Sequence, residues 1–256
     1  MIPIGDDNPT LRTPVMTYVL LALMVVTWVW FEQAGTQAAV LAARVCDFGM
    51  VPGELTHRAP IGSGIQIGPN MACVIDDLPI NKLTPLTSMF LHGSWGHLLG
   101  NALFFWVFGN NVEDSMGRIR FLVFYLLCGF VAAATHVVLN PASPIPTVGA
   151  SGAISGVLGA YLVLYPRVRV RMYFPPIFVF HVVAWLVLVY WFLVQVLTGL
   201  PELSSMRREV SGGVAVWAHV GGFVAGVVLV KVFENPRLVR RRTAVGDARA
   251  VWDPAS

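Results

Sequence analysis

The sequence predicts an all-α membrane protein, a single bundle of six transmembrane helices with a long structured loop after the first. Three observations predict this class. The 256-residue chain is 56% hydrophobic and 12% charged, about half the charge of a soluble domain. Its apolar residues gather in six runs, the form that a hydrocarbon layer about 30 Å thick demands of helices. Its basic residues divide unevenly between alternate connections, the asymmetry that orients membrane helices. The net charge is only +3, and no basic stripe is interleaved with aromatics, so nothing points to nucleic acid.

The elements follow in order. Residues 1–14 form a polar N-terminal segment. The first run, Val15–Phe31, follows Pro14 and a single cation, Arg12, and has no small-residue cleavage site. A retained helix is therefore expected rather than a cleaved signal. Residues 32–90 mix Gly, Pro and short polar residues with apolar patches, and are expected to form a structured loop lying partly on the membrane surface. The second run is Gly96–Gly109. The third, Phe121–Leu139, follows the charged turn EDSMGRIR, and the fourth, Val148–Tyr165, follows NPASPIPT. The fifth is Ile177–Leu197 and the sixth Val214–Phe233. The membrane domain is thus 15–233, and 234–256 is a basic tail suited to anionic lipid heads.

With the N-terminus in the cytoplasm, the RVRVR cluster (Arg167, Arg169, Arg171) and the RRR cluster (Arg240, Arg241, Arg242) fall on the inner side. The outer side keeps only Arg44, Arg58, Lys82, Arg207 and Arg208. Both termini are therefore expected inside, in a multi-pass protein of a bacterial cytoplasmic membrane.

Orientation brings the unusual polar residues together. The second, fourth and sixth runs enter from outside, carrying His97 with Asn101, Ser151 and His219 early in their courses. Polar groups inside a span are costly and default to a functional reading. Ser151 lies among Gly149, Gly152, Gly156 and Gly159. Such residues can simply let helices approach, or they can admit a substrate to the hydroxyl. A helix start also offers free N–H groups to a developing oxyanion. His219 is either a satisfied structural residue or a general base. It lies beside the flat face made by Gly222 and Gly226, which suits close packing on the helix of Ser151. His97 and Asn101, four apart, share a face, with His92 at the entrance of their run. They could be hydrogen-bond glue, metal ligands or oxyanion donors. No carboxylate stands at ligand spacing, and the common depth with Ser151 favours oxyanion donors. No metal or other cofactor is expected. The runs contain no Asp or Glu, so the expected chemistry is a Ser151–His219 dyad without a carboxylate.

These residues resemble the rhomboid family of intramembrane serine proteases. The match covers about Pro14 to Phe233 and rests on three motifs: GASG at Gly149–Gly152, AHVGGFVAG at Ala218–Gly226, and HGSWGHLLGN from His92 to Asn101. The resemblance implies Ser151 as nucleophile and His219 as general base and later acid. It implies an oxyanion site from His97, Asn101 and the Ser151 backbone N–H, with His92 near it. It also implies a Glu113–Arg120 contact in VEDSMGRIRF. Many members carry Tyr four residues after the nucleophile, stacked near the catalytic histidine; here that residue is Ser155. The first loop lacks the Trp-Arg pair of some bacterial members. The implied partners are single-span membrane protein substrates and membrane lipids. The same scaffold could instead bind membrane clients without cutting them, transfer an acyl group, or serve as a small transporter. A transporter should string polar groups through the full depth rather than near one face.

The remaining residues read more simply. Cys46 and Cys73 share the external loop, where they are either joined in a disulfide or free. Cys128 reads as a small core residue. His57, His136 and His181 have no polar company at matching spacing and read as structural or surface residues. Trp28, Trp30, Trp185 and Trp191 serve lipid contact, interface anchoring and packing.

Overall fold

In the computed structural model, which describes residues 2–68, 71–203 and 215–240, the chain is mostly helical, with two small sheets added to the expected helices. Strand β1 (Ile2–Asp6) leads into α1 (Val15–Val26), which continues through a π-helical turn, Thr27–Phe31. The loop that follows carries α2 (Ala38–Phe48), α3 (Pro52–Leu55), strands β2 (Gly64–Gly68) and β3 (Met71–Val74), and α4 (Thr84–Thr87). Four long helices then follow: α5 (Trp95–Met116), α6 (Arg118–Leu139), α7 (Ser151–Leu164) and, after strands β4 (Arg169–Phe174) and β5 (Phe178–Val183), α8 (Ala184–Leu203). The last is α9 (Val216–Phe233). Arg207, Arg208, Val214, Arg241, Arg242 and the rest of the tail to residue 256 lie outside the described residues.

Among the described residues, three helices are long and apolar enough to cross a membrane: Arg118–Leu139, Ala184–Pro201 and Val216–Phe233. Val15–Phe31 and Ser151–Leu164 are apolar but shorter. The fifth run corrects an expectation. Its first part, Phe178–Val183, is a strand and not a helix, and pairs antiparallel with β4, which pairs in turn with β1. FVFHVV is made of β-branched and aromatic residues, which a pleated surface accommodates best, and RVRMYF is within reach to pair with it.

The second run is also longer than its apolar stretch, because α5 continues to Met116 and so includes Glu113 and Asp114. Both carboxylates are buried and neither is idle. Helix α1 has no side-chain cap of its own, and its first turn presents free N–H groups. Glu113 receives the Met16 N–H at 2.9 Å, the Thr17 N–H at 2.7 Å and the Thr17 hydroxyl at 2.8 Å. Asp114 receives the Leu11 N–H at 2.8 Å and Arg12 Nε at 3.0 Å. The implied Glu113–Arg120 contact is not the one formed. Arg120 instead donates to the Glu234 carbonyl at 3.1 Å, since Glu113 points to the start of α1.

The loop after α1 is tied at both ends. A disulfide joins Cys46 to Cys73. Paired backbone bonds join Met50 to Thr147, at 2.9 and 2.8 Å, and Gly149 N–H donates to the Ser88 carbonyl at 2.8 Å. These bonds fix the chain just before α7.

Helix α7 is the centre of the bundle, buried from Gly152 to Tyr161. Glycine makes this possible on the side of α9. A methyl group added at Gly222 would collide with the Gly152 carbonyl oxygen, and one at Gly226 with the Gly156 carbonyl oxygen. On the other side, Cys128 of α6 fills the space over Gly156, a buried thiol acting as a small packing group. Gly226→Ala should therefore force α9 away from α7. Overpacking of this kind costs about 1–3 kcal/mol, so a lowered unfolding midpoint in detergent is expected. An unchanged midpoint would show that the backbone contact is not tight.

Candidate active site

Ser151 is the first residue of α7, at the mouth of the glycine-lined contact. Its approach is set by Gly149, which adopts φ +123°, a conformation that L side chains rarely reach. A Cβ there would also lie 2.6 Å from His97 Nε2 and 3.6 Å from Asn101 Nδ2. The side chains of α5 thus reach across to the backbone just before Ser151. The start of α7 also leaves N–H groups without helical partners at this point.

His219 sits in the first turn of α9, only 8% exposed. Its Nε2 lies 2.7 Å from Ser151 Oγ, within the reach a nucleophile–base pair needs. Its Nδ1 lies 2.8 Å from the side-chain oxygen of Gln195 on α8. The ring of Trp191, one turn earlier on α8, is tilted 40° to the imidazole with centroids 5.8 Å apart. Ser155 donates back to the Ser151 carbonyl at 2.6 Å. The place beside the histidine that the resemblance gives to a Tyr on α7 is therefore filled from α8.

Asn101 is held by a relay. His92 is fully buried. Its Nδ1 faces the Phe90 carbonyl at 3.2 Å, and its Nε2 faces Asn101 Nδ2 at 3.1 Å. With the proton on Nδ1, Nε2 accepts one amide hydrogen and leaves the other free for a ligand. The His92 backbone N–H donates to both oxygens of Glu32, at 3.0 and 3.1 Å. Ser151, His219, His97, Asn101, Trp191 and Gln195 line one cavity of about 630 Å³. His92 braces it from behind. Gly149 and Gly152 line the cavity, while Gly222 and Gly226 act through the helix contact. Among the described residues, no three His, Cys, Asp or Glu side chains gather as a metal ion would require.

Several partners were not visible in the sequence. Gln195 is a lone amide in an apolar run, a signal of the same kind that marks Ser151 and His219. Trp191, expected at lipid or in packing, stands four residues before it on the same face. Glu32 immediately follows the first run, and only the fold brings it under His92. His136, His181 and His57 take structural or surface places, each with a partner that sequence spacing does not show. His136 Nε2 meets the Thr147 hydroxyl at 3.2 Å, while His181 lies 3.7 Å from Asp7 and His57 3.7 Å from Asp77. These contacts cross between elements far apart in sequence or bring loop residues together, so periodicity does not reveal them.

Comparison with known proteins adds a family. Residues 82–235, more than half of the chain, match the profile described as the Rhomboid domain. All the cavity residues named above lie within that range, whereas α1 and Glu32 lie before it. The chain is 44% identical over 77 residues to the Rhomboid protease GluP of Bacillus subtilis (strain 168), covering 30% of this chain and 15% of that protein. It is 27% identical over 184 residues to Rhomboid protein 1, mitochondrial, of Saccharomyces cerevisiae, covering 66% and 48%. It is 33% identical over 150 residues to the human Presenilin-associated rhomboid-like protein, mitochondrial, covering 56% and 35%. The chain thus spans less than half the length of each of these relatives.

Glu32 gives the site's surroundings a pH dependence. Burial removes its carboxyl from water and pushes its pKa up to about 7, against the opposing pull of the His92 N–H. The folded protein therefore holds this proton more tightly than the unfolded chain does. The resulting stability is fully present below the ordinary value of 4.5 and is lost as pH rises towards about 7. Glu32→Gln should flatten the stability profile across that window and leave it parallel to wild type above it. Unfolding midpoints measured across the window would check this, and identical slopes for the two proteins would refute it.

Proposed function

This chain belongs to the rhomboid family, and from that premise we propose that it is a serine endopeptidase cleaving transmembrane segments of other membrane proteins. The observation that carries the reading is the 2.7 Å approach of His219 Nε2 to Ser151 Oγ inside a cavity of about 630 Å³. The chemistry runs through these two side chains. His219 Nε2 takes the hydroxyl proton as Ser151 Oγ attacks the scissile carbonyl carbon. The oxygen of that carbonyl becomes an oxyanion, received by the Ser151 backbone N–H and the side chains of His97 and Asn101. The tetrahedral intermediate collapses, and the imidazolium returns its proton to the departing amine. A water molecule then gives a proton to His219 and attacks the acyl carbon; the second tetrahedral intermediate collapses to the carboxylic acid as the imidazolium returns the proton to Ser151 Oγ.

The membrane setting belongs to the same proposal. Helices α1, α5, α6, α7, α8 and α9 form a six-span core in a bacterial cytoplasmic membrane, with both termini in the cytoplasm. The cavity opens toward the outer face, where water reaches it, and this satisfies polar groups at that depth. The substrate is a single-span protein entering sideways between α8 and the core. Its scissile carbonyls are engaged in helical hydrogen bonds, so helix-weakening residues near the cut and small residues at it are expected. Membrane lipids surround the bundle and meet the basic tail.

Ser151→Ala should abolish cleavage of a transmembrane reporter, a loss on the order of 10³-fold or more. Labelling by a fluorophosphonate should vanish in the same variant and fall in His219→Ala. Full cleavage by the alanine variant would sink the dyad.

A further inference from the structure

A neutral imidazole carries one N–H, and the nitrogen that bears it decides whether the ring can act as a base toward Ser151. Nε2 must be bare to accept the hydroxyl proton, which places the hydrogen on Nδ1. Something must then accept from Nδ1, or a buried donor is left without a partner. In a serine triad this is the work of a carboxylate. Here the atom facing Nδ1, at 2.8 Å, is the amide oxygen of Gln195.

We propose that Gln195 is a positioning residue that fixes His219 in the tautomer with a bare Nε2, so that α8 controls whether the dyad is competent. The proposal rests on the protease reading of the same site. An amide oxygen is a weaker partner than a carboxylate for an imidazolium. It is also neutral, so it holds the ring without burying a charge in the bundle. Trp191 supports the same arrangement by limiting rotation of the imidazole from one side. Both contacts come from one helix and from positions four apart, hence from one face.

The choice of helix has a consequence. Of the three candidate spans α8 is the least enclosed, with 17% of its window buried against 56% in α9. His219 is anchored in the close-packed pair, and its tautomer control sits on the loosely packed neighbour. Outward displacement of α8 removes the Nδ1 acceptor and the covering ring together. Helix movement and base orientation are thereby coupled through Gln195 and Trp191.

The test uses the full-length protein in lipid bicelles with ¹⁵N-labelled histidine, the His219 signal being identified by its loss in His219→Ala. In the wild type, Nδ1 should show the shift of a protonated nitrogen and Nε2 that of a bare one. Gln195→Met keeps the length of the side chain but presents no oxygen. It should mix the two tautomers and lower kcat by about tenfold or more, part of the roughly 10²–10⁴ that a positioned base contributes. KM should change by less than about twofold, because the oxygen removed is engaged by His219 rather than by substrate. Gln195→Glu restores an acceptor and should recover both the tautomer signal and most of kcat. An unchanged tautomer in the Met variant overturns the proposal. So does an equal loss of kcat in the Met and Glu variants, which would mark a packing role. Failure of the protease reading looks different: Ser151→Ala would cleave like wild type, while the tautomer shift in Gln195→Met would still be decided by the spectrum.

Discussion

Gly222 and Gly226 of α9 lie against the carbonyl oxygens of Gly152 and Gly156 of α7 with no side chain between them. The separation of Ser151 and His219 depends on that contact. Ser151 stands at the start of one helix and His219 near the start of the other, so the spacing of the two backbones sets the spacing of hydroxyl and imidazole. Any β-carbon in the interface would move one functional group relative to the other by a sizeable part of a hydrogen-bond length. In a membrane the drive for such a contact is close packing rather than escape from water. The residues that permit the packing therefore also set the geometry of the Ser151–His219 pair.

Around this contact the polar groups are satisfied in two layers. At the cavity, Gln195 holds His219 and His92 holds Asn101, so both of these side chains have a partner behind them. Further out, carboxylates bind backbone. Glu32 receives the His92 N–H, and Glu113 closes the N-terminus of α1. Both acids lie at the ends of apolar stretches rather than in their middles. This division suits a low-dielectric interior, where an unpaired charge is far more costly than a neutral amide.

How much was legible in the sequence varies by residue. Ser151, His219, His97 and Asn101 stand out because polar groups within apolar runs are rare and costly, and all four line one cavity. Gly149, Gly152, Gly222 and Gly226 are legible as a means of close approach. The start of the fifth run misleads, because Phe178–Val183 is as apolar as a span. Its strand character depends on pairing with β4, a partner that hydropathy does not register. The extent of α5 misleads in the other direction. Glu113 and Asp114 look like a solvated turn until the start of α1 supplies donors for them.

By itself, then, the sequence determined the helical membrane class, the long loop after the first helix and the short set of polar residues around which a site could form. Hydrophobicity, charge asymmetry and polar cost are local properties that survive without a fold. Only the tertiary structure decided which group faces His219 Nδ1, what steadies Asn101, and which carboxylates serve the backbone. Those partners are separated by 24 residues for Gln195 and His219 and by 60 for Glu32 and His92. A hydrogen bond needs two atoms within about 3 Å, and no periodicity in a chain specifies contacts at such separations.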